Sequence, residues 1–121
     1  MIQSAHVSSS LVNGVPIAVL TTEKVGDYEC HAIEVDLTKL GNDHRQRYAV
    51  DFSQVRLLSS VGIGLLLKLN KLAAQHKPAG KVVFFSMDPQ IFKLLQMTRL
   101  DKGLAIQKDR ESAVKVLQEL K

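Results

Sequence analysis

Two short apolar runs, "YAVDF" at 48–52 and "KVVFFS" at 81–86, constrain the fold more than any other feature of this chain. Each has the length of a strand and is nearly all apolar, the composition of a strand buried on both faces. Between them, from Ser60 to about His76, Val61, Leu65, Leu66, Leu69, Leu72 and Ala73 recur at three- and four-residue intervals, with Lys68 and Lys71 in the gaps. That spacing predicts an amphipathic helix, which Pro78 and Gly80 then end. A strand, a helix and a strand in this order predict parallel strands joined by a right-handed crossover.

The rest of the chain extends this unit. In "AHVSSSLVNGVPIAVLTT" the Asn13-Gly14 pair lies between stretches rich in β-branched residues, a strong hairpin signal that predicts antiparallel strands at about 4–11 and 16–22. Pro16 falls just after the turn, where a strand tolerates a missing N–H. "GDYECHAIEVDLTKLGN" reads two ways, because Ile33, Val35 and Leu37 alternate while Ile33, Leu37 and Leu40 share a helical face. Gly41-Asn42 as a helix stop, and the length of the connection, favour a helix. Asp88-Pro89 opens a short helix with Ile91, Phe92, Leu94 and Leu95 toward the sheet, "LAIQK" leaves room for a brief last strand, and Asp109 caps a final helix lined by Ala113, Val114, Leu117 and Leu120. The expected order is β-β-α-β-α-β-α-β-α. It describes an α/β fold, a small mixed sheet in which an antiparallel N-terminal hairpin precedes parallel strands packed with about four helices. The 121 residues suit a single domain, 1–121.

Composition narrows the function. A hydrophobic share of 45% with 23% charged residues is that of a soluble globular protein, and no apolar stretch approaches the roughly 20 residues of a membrane span. The opening "MIQSAHVSSS" lacks the basic start and apolar block of a secretory signal, so a cytoplasmic location without membrane insertion is expected. Cys30 stands alone, and the four histidines, His6, His31, His44 and His76, have no ligand or triad spacing; neither a metal site nor a cofactor is expected. The formal charge of +4 does not point to nucleic acid, since the cations are scattered among acids, with "HRQRY" at 44–48 the densest group and no base-stacking motif beside it.

"LLSSVGIGLLL" at 57–67 carries the chemistry. Ser59 and Ser60 stand where a turn feeds the helix. One serine there has an ordinary role, since its Oγ can accept a hydrogen bond from an amide of the first turn. The second is unexplained by capping. The same free amides and the positive end of the helix dipole favour an anion, so a phosphate ester on a serine would be tolerated here and would change what docks on the surface. Gly62 and Gly64 leave part of the first turn bare, which would let a partner approach closely.

"VDFSQVRLLSSVGIGLLLKL" resembles the signature of the STAS domain, the fold of bacterial anti-sigma-factor antagonists: an apolar strand ending Asp-Phe-Ser, a hydrophobic turn, then a serine step followed by a small residue, Gly, aliphatic and Gly. The resemblance extends to the hairpin, "KVVFFS", the helix after Asp88-Pro89, and "MTRLDKGLAIQKDRESAVKVL". It implies a phosphorylated serine at Ser60, with Ser59 as the fallback. Ser59 departs from the family's usual Asp and Val61 from its usual Ser. It further implies a phosphoprotein in transcription regulation by partner switching: unphosphorylated, it binds an anti-sigma factor with serine kinase activity; phosphorylated, it is released; a serine phosphatase restores it. The expected binding surface is Leu58, Ser59, Ser60, Val61, Gly62, Ile63 and Gly64 with the loops around Lys24, Gly26 and Asp27 and around Ser86, Met87 and Asp88. Such a domain would not be an enzyme. An unphosphorylated STAS scaffold in a signalling or lipid-transport complex is the alternative, and weak self-association through an apolar edge is left open. A serine hydrolase is the remote reading, because Leu58 stands where a nucleophile elbow needs its first glycine.

Overall fold

The computed structural model describes residues 2–120. A five-stranded sheet forms its centre: β1 (Val7–Val12), β2 (Val15–Leu20), β4 (Arg47–Asp51), β6 (Lys81–Phe85) and β7 (Ala105–Gln107), in the spatial order β1-β2-β4-β6-β7. The hairpin pair β1–β2 is antiparallel, and β2–β4, β4–β6 and β6–β7 are parallel. Two short strands, β3 (Lys24–Val25) and β5 (Leu57–Leu58), pair in parallel as a separate ribbon. Helices α1 (Asp27–Asp43), α2 (Ser60–Gln75), α3 (Pro89–Met97) and α4 (Arg110–Gln118) fill the connections and the C-terminal end.

Period-two alternation in the central strands divides the apolar residues between two faces. Tyr48 and Val50 of β4, with Val82 and Phe84 of β6, pack against Ile33, Leu37 and Leu40 of α1, Leu65, Leu66 and Leu69 of α2, and Ile91 and Leu95 of α3. Ala49, Val83 and Phe85 turn the other way, with Val15 and Ile17, and meet Ala113, Val114 and Leu117 of α4. Three helices therefore cover one face and a single short helix covers the other. Phe52 and Phe84, both within the larger core, meet edge to face, with centroids 5.9 Å apart at 84°.

The hairpin is tighter than expected. Asn13 and Gly14 take φ of 52° and 80°, so a two-residue turn joins Val12 directly to Val15, and the strands occupy Val7–Val12 and Val15–Leu20 rather than 4–11 and 16–22. Pro16 lies inside β2, opposite Leu11, where β4 has not yet begun to pair; that pairing starts at Ile17. Gly41-Asn42 is not the end of α1, which runs on to Asp43. Gly41 is buried there under Gln46, whose Oε1 would stand 2.5 Å from a Cβ, and the chain leaves the helix only where Arg45 and Gln46, both at φ 58°, reverse it.

Tyr48 is fully buried in the larger core, and its hydroxyl has no hydrogen-bond partner among the described residues. Burial pushes the phenol well above its ordinary range. Leaving such a group unsatisfied costs about 1–3 kcal/mol. We therefore expect Tyr48→Phe to stabilise the fold by about 1 kcal/mol in urea denaturation, while Phe84→Ala on the same face loses about 3–5 kcal/mol. Since only the unfolded chain ionises this tyrosine near pH 10, its contribution to stability is present below that pH and lost above it, and Tyr48→Phe flattens the alkaline decline. A loss of stability in Tyr48→Phe would mean that the hydroxyl is satisfied.

Candidate functional site

Parallel pairing of β2, β4 and β6 sends the chain out of the sheet at one rim three times, through residues 21–26, 52–59 and 86–88. These loops are tied to one another. The first two are joined by the β3–β5 ribbon, in which the amides of Arg56 and Leu57 donate to Glu23 O at 2.7 and 3.0 Å and Ser59 N donates to Val25 O at 3.0 Å. The second and third meet at Arg56 and Asp88, with Nε and Oδ2 4.0 Å apart, while Asp88 Oδ1 accepts from Gln90 N at 2.9 Å and so caps α3. Ser86 makes its turn with φ 57°. The three segments expected to form a binding surface thus share one rim.

Asp51 anchors the second loop. It is buried at the end of β4 on the α4 face, where Oδ1 accepts from Ser53 N at 2.8 Å and Oδ2 lies 3.4 Å from Arg110 Nη2 at the start of α4. The ion pair draws on a partly exposed guanidinium, so its contribution is modest; its effect is to fix where the chain turns after the strand. Phe52 N donates to Phe85 O at 3.0 Å and Val55 N to Phe52 O at 3.0 Å, closing the turn that leads to β5. Asp109, the α4 cap, accepts from Ser112 N at 2.9 Å, and this bond holds its carboxyl below the usual range.

The two serines have different surroundings. Ser59 is the N-cap of α2: its φ and ψ of −81° and 172° are extended, and its Oγ accepts from Gly62 N at 3.2 Å. Ser60 is the first residue of the helix, exposed, and its hydroxyl has no partner among the described residues. With Ser59 O accepting from Ile63 N, the amides of Ser60 and Val61 are left at the open end of the helix. Their partial positive charge lies beside a free hydroxyl.

The glycines also separate. Gly62 is buried under the ribbon: a Cβ there would stand 2.6 Å from Leu58 Cδ1 and 2.7 Å from Val25 O. The expectation that Gly62 bares the turn for a partner is therefore corrected. Its missing side chain lets the helix mouth press onto β3 and β5. Gly64 meets nothing within 4 Å and is exposed. Gly26 is likewise buried, its amide donating to Glu29 Oε1 at 3.0 Å at the start of α1. Leu58, Ile63 and Met87 are half-buried against the larger core, whereas Lys24, Asp27 and Val61 are exposed and Asp88 is half-buried.

Sequence reasoning missed the ribbon itself, reading the approach to the serines only as a turn, and of three exposed apolar side chains beside it had named only Val61. Tyr28 in the first turn of α1, Leu57 on β5 and Val61 after Ser60 are 87%, 63% and 47% exposed. Leu57 was recognisable only by its place beside the serines. A groove of about 350 Å³ adjoins the third loop, lined by Met87, Pro89, Phe92, Ile106, Gln107 and Lys108. His44 and His76 lie at the far ends of α1 and α2 from this rim. Cys30 is buried on α1, where burial first, then Asp27, Glu29 and Glu34, push its thiol up. Among the described residues no helix is long and apolar enough to cross a membrane.

A hairpin-led mixed sheet with three helices on one face, one on the other, and a serine-headed helix at a rim of clustered loops defines a small α/β module built around a surface. The profile of the STAS domain matches residues 20–113, and the chain belongs to that family. No curated protein matches the sequence. Among solved structures, the chain resembles an anti-sigma-factor antagonist (STAS) domain protein from Planctomyces limnophilus at a TM-score of 0.82 and 16% identity, covering 93% of this chain and 98% of that one. It resembles an anti-sigma factor antagonist from Mycobacterium paratuberculosis at 0.77 and 18%, over 93% of each chain. The phosphorylated form of SpoIIAA, a Bacillus cell fate determinant, aligns at 0.65 and 14%, over 91% of this chain and 98% of that one. At these identities the likeness is one of fold.

The division between the serines and between the glycines has measurable consequences. Ser59→Ala should cost about 1 kcal/mol by loss of the cap, whereas Ser60→Ala should stay within about 0.5 kcal/mol of the parent. Gly62→Ala should lose about 1–3 kcal/mol through overpacking, and Gly64→Ala should gain about 0.5–1 kcal/mol from better helix propensity. Chemical denaturation of the four variants checks the order; equal losses at Ser59 and Ser60 would contradict the assignment of the cap.

Proposed function

We propose that this domain is an anti-sigma-factor antagonist whose attachment to an anti-sigma factor is switched by phosphorylation of Ser60. The observation that carries the reading is the free, exposed hydroxyl of Ser60 next to a helix end whose capping is already supplied by Ser59. Modification of Ser60 leaves the Ser59 cap in place, so the fold persists while the surface changes. The neighbouring amides and helix dipole stabilise the new anion. In the unmodified state Val61, Leu57 and Tyr28 offer apolar contact around a small hydroxyl, and Gly64 allows close approach. A phosphate brings about −1.5 to −2 charge into that contact, and its desolvation on docking costs several kcal/mol unless the partner pairs it.

Membership of the STAS family supports the reading, as do the structures it resembles, which include SpoIIAA in unphosphorylated and phosphorylated forms. In this account the domain supplies the acceptor and the surface, the kinase partner supplies catalysis with ATP and Mg²⁺, and a phosphatase reverses the mark. The partner contacts the 58–64 turn with its outward-facing residues Ser60, Val61 and Gly64, together with Lys24, Asp27 and Asp88.

Identification of a small kinase-type anti-sigma factor encoded beside this gene, followed by incubation with it and ATP, tests the proposal by mass spectrometry. Phosphate is expected on Ser60 and absent in Ser60→Ala. Ser60→Glu should weaken binding to that partner by at least about tenfold, with its urea midpoint unchanged. Modification retained in Ser60→Ala but lost in Ser59→Ala would move the acceptor, and undiminished binding by the phosphorylated domain would remove the switch.

A further inference from the structure

A group of cations stands at one pole of the fold, where β4 and β6 begin. Arg45, Arg47, Lys77 and Lys81 stand in two segments, residues 44–47 and 76–81, that lead into β4 and β6 and contain no acid. Distant in sequence, they are adjacent in space. Arg47 and Lys81 are partners in the β4–β6 register, Lys81 N donates to Gln46 O at 2.7 Å, and Arg47 Nη2 donates to Ala79 O at 3.3 Å. His44 and His76 flank them, and Asp43, the last residue of α1, is the acid nearest in sequence. Arg45, Lys77 and Lys81 have no ion-pair partner among the described residues, and Arg45 and Lys77 are exposed.

We propose that this pole docks the domain on an anionic lipid surface. Three features select a lipid surface among polyanions. Pro78 and Ala79 are exposed between Lys77 and Lys81, giving small apolar groups at headgroup depth among the cations. Neither loop has an aromatic residue clear of the core on which a nucleic-acid base could stack, Tyr48 being buried. Helices α1 and α2 end at this pole, so their C-terminal dipoles oppose an anion and no helix N-terminus offers a discrete phosphate cradle; the attraction rests on the side-chain cations and is diffuse. Each cation close to an anionic leaflet contributes roughly a fivefold factor in affinity, so attachment is reversible and weakens with salt.

The geometry keeps this function apart from the serine rim. Ser59 and His76 cap opposite ends of the 16-residue helix α2, about 24 Å long, which is several Debye lengths at physiological salt. A domain seated on a membrane by its basic pole holds Ser60 away from the lipid and open to a partner, whether or not that serine is phosphorylated.

Vesicle flotation with the purified full chain tests the proposal. We expect flotation with vesicles of phosphatidylcholine mixed with phosphatidylglycerol, none with phosphatidylcholine alone, and loss of binding in high salt. Arg45→Gln with Lys77→Gln should weaken it by roughly 25-fold, while Lys93→Gln with Lys115→Gln, the same change in net charge on the exposed faces of α3 and α4, should leave it unaltered. Thermal melts of both double variants confirm that each is folded. Absence of binding to the anionic vesicles, or equal losses in the two double variants, would overturn the proposal. So would tighter binding to a short DNA duplex than to the vesicles, abolished by the first pair of substitutions.

Discussion

Parallel pairing of β2, β4 and β6 is the constraint from which the rest of this structure follows. Strands buried on both faces cannot be joined by tight turns when they run the same way, so each connection must cross the sheet, and the helices that make the crossings cover it. The same pairing places the exits of β2, β4 and β6 at one rim and their entries at the opposite pole. Loops separated by thirty residues in sequence become neighbours at each end. At the exit rim they carry serine, apolar side chains and a helix mouth; at the entry pole they carry a group of cations. Polarity of the strands thus produces polarity of the chemistry.

At the rim, the helix mouth is held by contacts rather than by its own sequence. Glycine at the first turn is unfavourable for an isolated helix. Here Gly62 is required, because Val25 O and Leu58 Cδ1 occupy the space that a Cβ would take. The β3–β5 ribbon and the Asp51–Arg110 pair locate the turn, and the Ser59 cap orders the first amides. With those duties assigned elsewhere, Ser60 is left without a structural task, and a residue in that position can accept a bulky charged group while the fold around it stays intact. The proposed switch, which must not unfold its own domain, depends on such a separation.

Much of the architecture was legible. The apolar runs at 48–52 and 81–85, the leucine spacing of α2, and the caps Asp88 and Asp109 each express a local rule, and the structure places elements there. Boundaries failed where a nonlocal contact replaced a local preference. Gly41 looked like a helix stop because glycine often is one, yet it lies within α1 because Gln46 and Tyr48 pack against it. Gly62 looked like a bare surface for the same kind of reason. The ribbon was invisible because two-residue strands carry no periodicity, and Lys24 and Leu57 become partners only once the larger sheet has brought their loops together.

Residue order alone determined the α/β class, the parallel core and a serine pair at the start of α2, since each depends on hydrophobic spacing or a capping preference within a few neighbouring residues. Tertiary structure decided which serine caps and which is free, which glycine is buried and which is open, and that cations scattered along the chain meet at one end. Those outcomes depend on distances across the sheet, set by the register of strands remote in sequence, and no local pattern encodes them.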